Sequence, residues 1–186
     1  MKIGLAGTKG SFSEEAAHEY VRRAGGADNE LVYLLQAEKV LEALEVGDID
    51  IGIFAIENSN GGVVTEYLPA IAKHRFAIDS IFEIPVNHML LVLPGTKREA
   101  VTQIVSQNQA LRQCRTYLRR AWPDADVHEY VDTATAAKDL KEGTLPKETA
   151  VIASRAAGGA YGLDILEENV QDMKFNFTTF IVAKNL

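Results

Sequence analysis

The stretch Ile51-Gly-Ile-Phe-Ala-Ile-Glu-Asn-Ser-Asn-Gly-Gly62 decides the fold. Residues 51–56 form an uninterrupted, mostly apolar run, which is typical of a strand buried on both faces of a parallel sheet. The run ends abruptly in Glu57, Asn58 and Ser59, and two glycines follow. Ligands of open α/β sheets bind just beyond the carboxyl ends of such strands. Polar side chains there, followed by backbone that a ligand can approach closely, indicate a site for a small polar molecule.

Strands and helices alternate on both sides of this stretch. Strands are predicted over residues 1–6, 31–35, 51–56, 88–93, 101–105, 127–131, 150–153 and 177–182. Helices are predicted over residues 12–24, 37–46, 63–73, 110–121, 133–142 and 155–161. The alternation predicts an α/β fold, with helices covering a parallel or mixed sheet.

A change of pattern near residues 75–85 predicts a second lobe. We expect residues 1–78 and 164–186 to form the first lobe and residues 79–163 to form the second. Because the last strand follows the second lobe along the chain, we expect it to return to the first. The active cleft is therefore expected between the two lobes.

Composition excludes several classes of partner. The net charge of −7 and a pI near 5.1 argue against binding to nucleic acid or to an anionic membrane surface. No apolar run approaches the roughly 18 residues that span a bilayer, and the N-terminal residues lead straight into a strand rather than a signal peptide. The only cysteine, Cys114, suits a reducing cytoplasm and is expected to be a buried structural thiol.

Three predicted helix starts could bind an anion, but each has an ordinary structural explanation. The loop from Gly7 to Ser13 opens a helix after a strand, with Ser11 or Ser13 as its N-cap, and lacks the P-loop and dinucleotide-binding patterns. Thr133 is expected to be an N-cap first and an anion contact second. The segment from Ser106 to Gln109 precedes another predicted helix. Taken alone, the loop after residue 56 could likewise be a polar loop that caps the following helix.

The four histidines do not indicate a metal site. His18, His74, His88 and His128 are scattered without metal-ligand spacing, and we expect structural roles for all four. Neither a Ser-His-Asp arrangement nor a pair of catalytic carboxylates can be assembled from the spacing.

Ordered motifs along nearly the whole chain resemble the catalytic domain of the prephenate dehydratase family. The matching segments are Gly-x-Lys-Gly-Ser-Phe-Ser-Glu-Glu-Ala-Ala at 7–17, Ile-Glu-Asn-Ser at 56–59, His-Met-Leu-Leu at 88–91, Gln-Ala-Leu-Arg-Gln-Cys at 109–114, Tyr-Gly-Leu at 161–163 and Asn-Phe-Thr-Thr-Phe at 176–180. The resemblance implies two α/β lobes with the active site between them, similar to type II periplasmic-binding-protein-like folds. It implies conversion of prephenate to phenylpyruvate without a metal or organic cofactor, in a cytoplasmic homodimer or larger homo-oligomer.

The resemblance also assigns roles to individual residues. Thr178 matches the catalytic threonine and is expected to hydrogen-bond the departing hydroxyl. The remaining candidates are expected to contact substrate or to shape the pocket, and they are Ser11, Ser13, Glu57, Asn58, Ser59, Ser106, Gln109, Thr133, Asn176, Thr179 and Phe180.

Four departures from the family pattern matter. Thr179 stands where the family carries an arginine, and loss of a carboxylate clamp would cost roughly 2–5 kcal/mol if the partner charge stays buried. Ser106-Gln-Asn-Gln109 replaces Ser-His-Pro-Gln, and Gly7-Thr8 replaces Gly-Pro. An ACT domain for phenylalanine sensing is not expected in this chain.

These departures leave three functional hypotheses. The leading one is a prephenate dehydratase-like lyase, with Lys9 or Arg155 as a replacement cation, in which Thr179→Arg is expected to raise turnover. A second is an enzyme acting on another cyclohexadienyl carboxylate, such as a non-aromatising prephenate decarboxylase. A third is a catalytically silent protein that binds a small carboxylate.

Overall fold

The chain folds into two compact units. A computed structural model describes residues 1–26 and 28–186. One unit comprises residues 1–86 together with 176–186, and the other comprises residues 87–175. Within the described part of the chain, no helix combines the length and the apolar character that crossing a bilayer requires.

Eleven strands and seven α-helices make up the described residues. The strands are β1 (Lys2–Leu5), β2 (Glu30–Tyr33), β3 (Ile51–Asn58), β4 (Gly62–Val63), β5 (Ala77–Pro85), β6 (Met89–Val92), β7 (Gln103–Ser106), β8 (Asp126–Glu129), β9 (Thr149–Ala153), β10 (Asp164–Glu167) and β11 (Phe177–Lys184). The helices are α1 (Phe12–Ala24), α2 (Ala37–Glu45), α3 (Leu68–Lys73), α4 (Asn108–Gln113), α5 (Arg115–Ala121), α6 (Thr133–Glu142) and α7 (Arg155–Tyr161).

The first unit is built on a mixed sheet. Its strands follow the order β2-β1-β3-β11-β5, with β4 paired to β3. Strands β1, β2 and β3 run parallel, whereas β11 is antiparallel to both β3 and β5. The last strand thus returns to the first unit, as the sequence predicted, and it lies beside the decisive apolar strand.

The two faces of this sheet bury different helices. Phe180 and Val182 of β11 pack in a core with the α1 residues Ala16 and Ala17. Ile181 and Ala183 belong to a separate core with residues of α2 and α3. Successive side chains of a strand point to opposite faces, so β11 contributes to both cores.

The second unit has a five-stranded sheet in the order β10-β6-β9-β7-β8. All five residues of β9 are buried at its centre. Strand β9 is parallel to β7 and antiparallel to β6. Both sheets are therefore mixed, and the α/β class predicted from the alternating pattern is confirmed.

The structure places the limits of the units at 86/87 and 175/176, whereas the sequence analysis placed them at 78/79 and 163/164. A boundary after residue 78 would cut β5, which pairs with β11 from Ala77 to Pro85. A boundary after residue 163 would separate β10 from its antiparallel partner β6. Hydrogen bonding between strands that are distant in sequence moves both limits.

Two predicted helices are interrupted. The helix predicted over residues 110–121 divides at Cys114, whose backbone has φ −111° and ψ 11°. The helix predicted over residues 63–73 is replaced by a short strand, a 3₁₀ turn at Thr65–Tyr67 and α3. Cys114 is fully buried, as predicted, and burial raises the pKa of its thiol.

Candidate active site at the ends of β3 and β11

A hydrogen bond joins the predicted catalytic threonine to the decisive strand. Asn58 ends β3 and lies directly opposite Thr178 of the antiparallel β11. The two residues are 7% and 9% exposed. The Asn58 amide Nδ2 donates to Thr178 Oγ1 over 2.9 Å and to Asn176 Oδ1 over 2.9 Å. Antiparallel register therefore connects two motifs that are 120 residues apart in sequence.

The turn after β3 orients the Asn58 amide. Its Oδ1 accepts backbone N–H bonds from Asn60 over 3.0 Å and from Gly61 over 2.9 Å. This Asx-type arrangement holds the carbonyl end toward the turn and directs Nδ2 toward Thr178. Because Asn58 donates to Thr178 Oγ1, the threonine oxygen is an acceptor in this bond. The Thr178 hydroxyl proton can then be donated to another oxygen.

Ser59 ties the same turn to the start of β11. The Ser59 N–H donates to the Phe177 carbonyl over 2.9 Å, and the Phe177 N–H donates to Ser59 Oγ over 3.0 Å. Asn176 is buried, and its carbonyl accepts the Val86 N–H over 2.7 Å. The chain on both sides of Thr178 is thus held by backbone hydrogen bonds, which position its hydroxyl.

The loop before α1 is ordered by its own side chains. Ser11 is the N-cap of α1, as predicted, and its hydroxyl accepts from the Glu14 N–H. Ser13 is buried and its hydroxyl donates to the Ala6 carbonyl over 2.7 Å. The Gly10 N–H donates to the Glu14 carboxylate, which also accepts from the Tyr33 hydroxyl. The carboxylate of Glu14 therefore occupies the position at this helix start where an external anion was considered.

Thr179 lies on the opposite face of the sheet from Thr178. It is paired with Glu57 of β3 on one side and with Glu83 of β5 on the other. The Thr179 hydroxyl donates to Glu83 over 3.4 Å, and both glutamates are exposed. This placement corrects the expectation that Thr179 and Glu57 contact the same substrate as Thr178, because strand alternation separates them.

Phe180 also has a structural role. Its ring is 1% exposed and packs against Phe82, with ring centroids 6.4 Å apart. A side chain enclosed in this way stabilises the core beneath α1. We therefore assign Phe180 to the core, where the sequence analysis placed it among the substrate contacts.

The candidates in the second unit are divided between core and surface. Ser106 is fully buried in β7, and its hydroxyl donates to the Ile152 carbonyl over 2.6 Å, so it does not begin the next helix. Gln109 is exposed on α4. Thr133 is the first residue of α6 rather than its cap, because the Asp132 side chain accepts from the Thr135 N–H over 2.7 Å.

The proposed replacement cation Arg155 has a partner. Its guanidinium lies 2.8 Å from the Glu168 carboxylate within the second unit. His88 is buried next to Gln113, with Nε2 2.7 Å from Oε1, and burial lowers the pKa of this histidine. Among the described residues, no group of three or more side chains is arranged to hold a metal ion.

Sequence reasoning missed the residues that hold the site in place. Asn60 and Gly61 orient Asn58 through their backbone, and Glu14 orders the loop before α1. The Asn-Ser-Asn-Gly-Gly pattern is a usable signal for an Asx-type turn. The bond between Asn58 and Asn176 carried no signal, because only the register of β3 and β11 brings the two residues together.

Comparison with known proteins agrees with this arrangement. The family model described as prephenate dehydratase matches residues 3–185. Arogenate dehydratase 5, chloroplastic, from Arabidopsis thaliana is 32% identical over 182 residues, covering 98% of this chain and 41% of that protein. The bifunctional chorismate mutase/prephenate dehydratase of Stutzerimonas stutzeri is 29% identical over 187 residues, covering 98% of this chain and 48% of that protein. This chain thus spans less than half the length of these two relatives.

A solved structure extends the agreement to three dimensions. The crystal structure of prephenate dehydratase from Arthrobacter aurescens in complex with L-Phe matches with a TM-score of 0.89 and 27% identity. The match covers 100% of this chain and 61% of that one. Because the family model spans nearly all of the sequence, this chain belongs to the prephenate dehydratase family.

Proposed function

We propose that this chain is a lyase that converts prephenate to phenylpyruvate in phenylalanine biosynthesis. The observation that carries the proposal is the hydrogen bond from Asn58 to Thr178, in a buried position at the ends of β3 and β11. Family membership supports the same reaction. The finer assignment as a hydro-lyase rests on the role of Thr178.

The reaction needs modest assistance from the protein. The carbon–carbon bond to the ring carboxylate breaks, and its electron pair enters the ring as carbon dioxide leaves. The ring hydroxyl then departs with its own electron pair and takes up a proton to form water. Aromatisation of the ring supplies the driving force. The protein must hold the substrate and stabilise the negative charge that develops on the departing oxygen.

Thr178 is suited to that last task. Its hydroxyl accepts from Asn58, so its proton can be directed at the departing oxygen. A neutral threonine is a weak acid, and we infer that it donates a hydrogen bond rather than transferring its proton completely. Donation from Asn58 increases the polarity of the hydroxyl, and the low-dielectric surroundings strengthen both hydrogen bonds.

Arogenate is a second candidate substrate. The relative from Arabidopsis thaliana is named an arogenate dehydratase. Arogenate has the same ring and the same leaving hydroxyl as prephenate, but an ammonium group replaces the keto oxygen of its side chain. The proposed role of Thr178 concerns only the leaving hydroxyl, so it applies to both substrates.

Incubation of the purified chain with each substrate at neutral to mildly alkaline pH tests the proposal. We expect phenylpyruvate from prephenate, or phenylalanine from arogenate, and loss of this product in Thr178→Ala. The variant is the required control because prephenate aromatises spontaneously in acid. Failure of a folded wild-type chain to turn over either substrate would contradict the proposal. Saturable substrate binding without turnover would instead indicate a silent carboxylate-binding protein.

We also propose a cytoplasmic location and assembly as a homodimer or larger homo-oligomer. The single cysteine is consistent with a reducing compartment. The family resemblance supports the assembly. Sedimentation equilibrium tests the oligomer, and a monomer at micromolar concentration would contradict it.

A further inference from the structure

We propose that a groove on the second unit binds an aryl carboxylate, meaning an organic anion with a flat apolar body. The groove has a volume of about 460 Å³, which lies in the range of small-molecule sites. It is formed by α4, α5 and β8, and it contains none of the candidate residues for the lyase reaction. The inference is independent of that reaction. The lining residues are Asn108, Leu111, Arg112, Arg115, Leu118, Arg119, Trp122, Pro123, Ala125 and Val127.

The charge of the groove has one sign. Arg112, Arg115 and Arg119 lie in its wall, and no aspartate or glutamate is among the described lining residues. None of the three forms an ion pair with a carboxylate in the described part of the chain, although the protein carries a net charge of −7. Arg98 provides the contrast, because it pairs with Glu167. Three exposed guanidinium groups without partners favour an anionic ligand.

The break between α4 and α5 creates this arrangement. Arg112 ends α4, whereas Arg115 and Arg119 lie on α5, and Cys114 anchors the junction in the core. Spacings of three and four residues place side chains on one helical face. The three arginines therefore line the same groove despite belonging to two helices.

The remaining surface favours an apolar, flat ligand body. Leu111, Leu118, Val127 and Trp122 contribute apolar surface. Trp122 is held in place because its Nε1 donates to the Tyr117 hydroxyl over 2.9 Å and Arg98 lies 4.0 Å from its ring centroid. Guanidinium groups also stack on aromatic rings while they bind carboxylates. An aryl carboxylate satisfies both properties of the groove, whereas an inorganic anion satisfies only one.

Trp122 makes the proposal directly measurable. It is the only tryptophan of the chain, so its fluorescence reports on the groove. The purified chain is titrated with 4-phenylbutanoate, with its neutral analogue 4-phenylbutanol and with inorganic phosphate. We expect a saturable fluorescence change with 4-phenylbutanoate, and binding at least about tenfold weaker for the alcohol and for phosphate.

Substitutions locate the binding. The triple variant Arg112→Gln, Arg115→Gln, Arg119→Gln is expected to bind the carboxylate at least about tenfold more weakly. Arg120→Gln is the matched control, because this exposed neighbour does not line the groove, and it is expected to bind like the wild type. The single variant Arg115→Gln and the groove-filling Val127→Phe, which alters an exposed edge-strand residue, also weaken binding if the triple variant does not fold.

Several results would overturn the proposal. Equal affinity for the alcohol would show a merely apolar surface, and equal affinity for phosphate would show a simple anion site. Unchanged binding in the folded triple variant, or an absence of saturation up to about 10 mM, would exclude the site. A fluorescence change that follows protein concentration without ligand would show that a second copy of the chain occupies the groove.

Discussion

The two faces of β11 put the same side chain to different uses. Thr178 is buried on one face and accepts a hydrogen bond from Asn58. Thr179, the next residue, lies on the other face between the exposed Glu57 and Glu83. Side-chain alternation alone separates a residue suited to chemistry from one suited to surface pairing. Adjacent positions of a sequence motif therefore need not act on one ligand.

This difference changes the meaning of the missing family arginine. The sequence analysis treated residue 179 as a substrate clamp because it adjoins the catalytic threonine. In the structure the position faces two glutamates, so an arginine there would form cross-strand ion pairs. Its replacement by threonine removes surface pairing and leaves the surroundings of Thr178 unaltered.

Removal of the Thr178 hydroxyl breaks the comparison most strongly. We expect Thr178→Ala to lower kcat by about 10²–10³, the usual effect of losing one donor to a developing oxyanion. Thr178→Ser keeps the hydroxyl and is expected to recover most of the rate. Steady-state assays with circular dichroism spectra of both variants provide the measurement. Unchanged kcat in a folded Thr178→Ala protein would refute the assigned role.

Loss of the Asn58 amide is expected to affect both activity and stability. In Asn58→Ala the N–H groups of Asn60 and Gly61 lose their acceptor, and Thr178 loses its donor. We expect about 1–3 kcal/mol of destabilisation from these unmade hydrogen bonds. We also expect kcat to fall by about tenfold or more, as the threonine loses its orientation.

Urea unfolding and steady-state kinetics measure these two effects. Ser59→Ala is the matched control in the same turn, since it removes only the bond to the Phe177 N–H and leaves the backbone partner of Ser59 in place. A kcat loss as large in Ser59→Ala as in Asn58→Ala would mean that the turn, rather than the amide, is required.

The α2–α3 face offers a prediction of pH dependence. His74 has a side chain only 5% exposed, with Nδ1 3.0 Å from Glu45 and Nε2 3.2 Å from Glu38. Burial alone would lower the pKa of His74, but hydrogen bonds to Glu45 and Glu38 outweigh it and raise the pKa. Hydrogen bonds from Lys73 and His74 lower the pKa of Glu38, and the bond from His74 lowers the pKa of Glu45.

The sign follows from linkage. The histidine contributes stability below its ordinary pKa of 6.5 and loses that contribution as pH rises through the raised value. The glutamates contribute above their ordinary pKa of 4.5 and lose it as pH falls through the lowered values. We expect His74→Gln to be most destabilising between pH 4.5 and 6.5, measured by urea unfolding across pH. A difference that grows above pH 6.5 would contradict this, and kcat is expected to remain unchanged.

Insertion of the family arginine is expected to have the smallest effect. Thr179→Arg can pair with Glu57 and Glu83, and such exposed pairs contribute about 0.2–1 kcal/mol each. Thermal unfolding is expected to show a slight gain that salt reduces, while kcat/KM changes by less than about threefold. Thr179→Gln is the uncharged control. A large rise in kcat/KM in Thr179→Arg alone would restore the idea of a substrate clamp.

Local patterns predicted the parts of the fold that depend on neighbouring residues. The helix at Phe12–Ala24, its Ser11 cap and the helix at Arg155–Tyr161 were all predicted correctly, because caps and periodicity act over a few residues. The break at Cys114 and the strand β10 were not predicted. A buried thiol at a helix junction and a short strand paired to β6 depend on contacts with distant residues.

The site divides in the same way. The sequence by itself determined the family, the α/β class and the candidate residues Asn58, Asn176 and Thr178, because those are carried by residue types in order along the chain. Only the tertiary structure decided that Asn58 donates to Thr178 and that Thr179 faces the opposite way. Register and strand direction between β3 and β11 set both results, and these depend on hydrogen bonds across some 120 residues that no local pattern encodes.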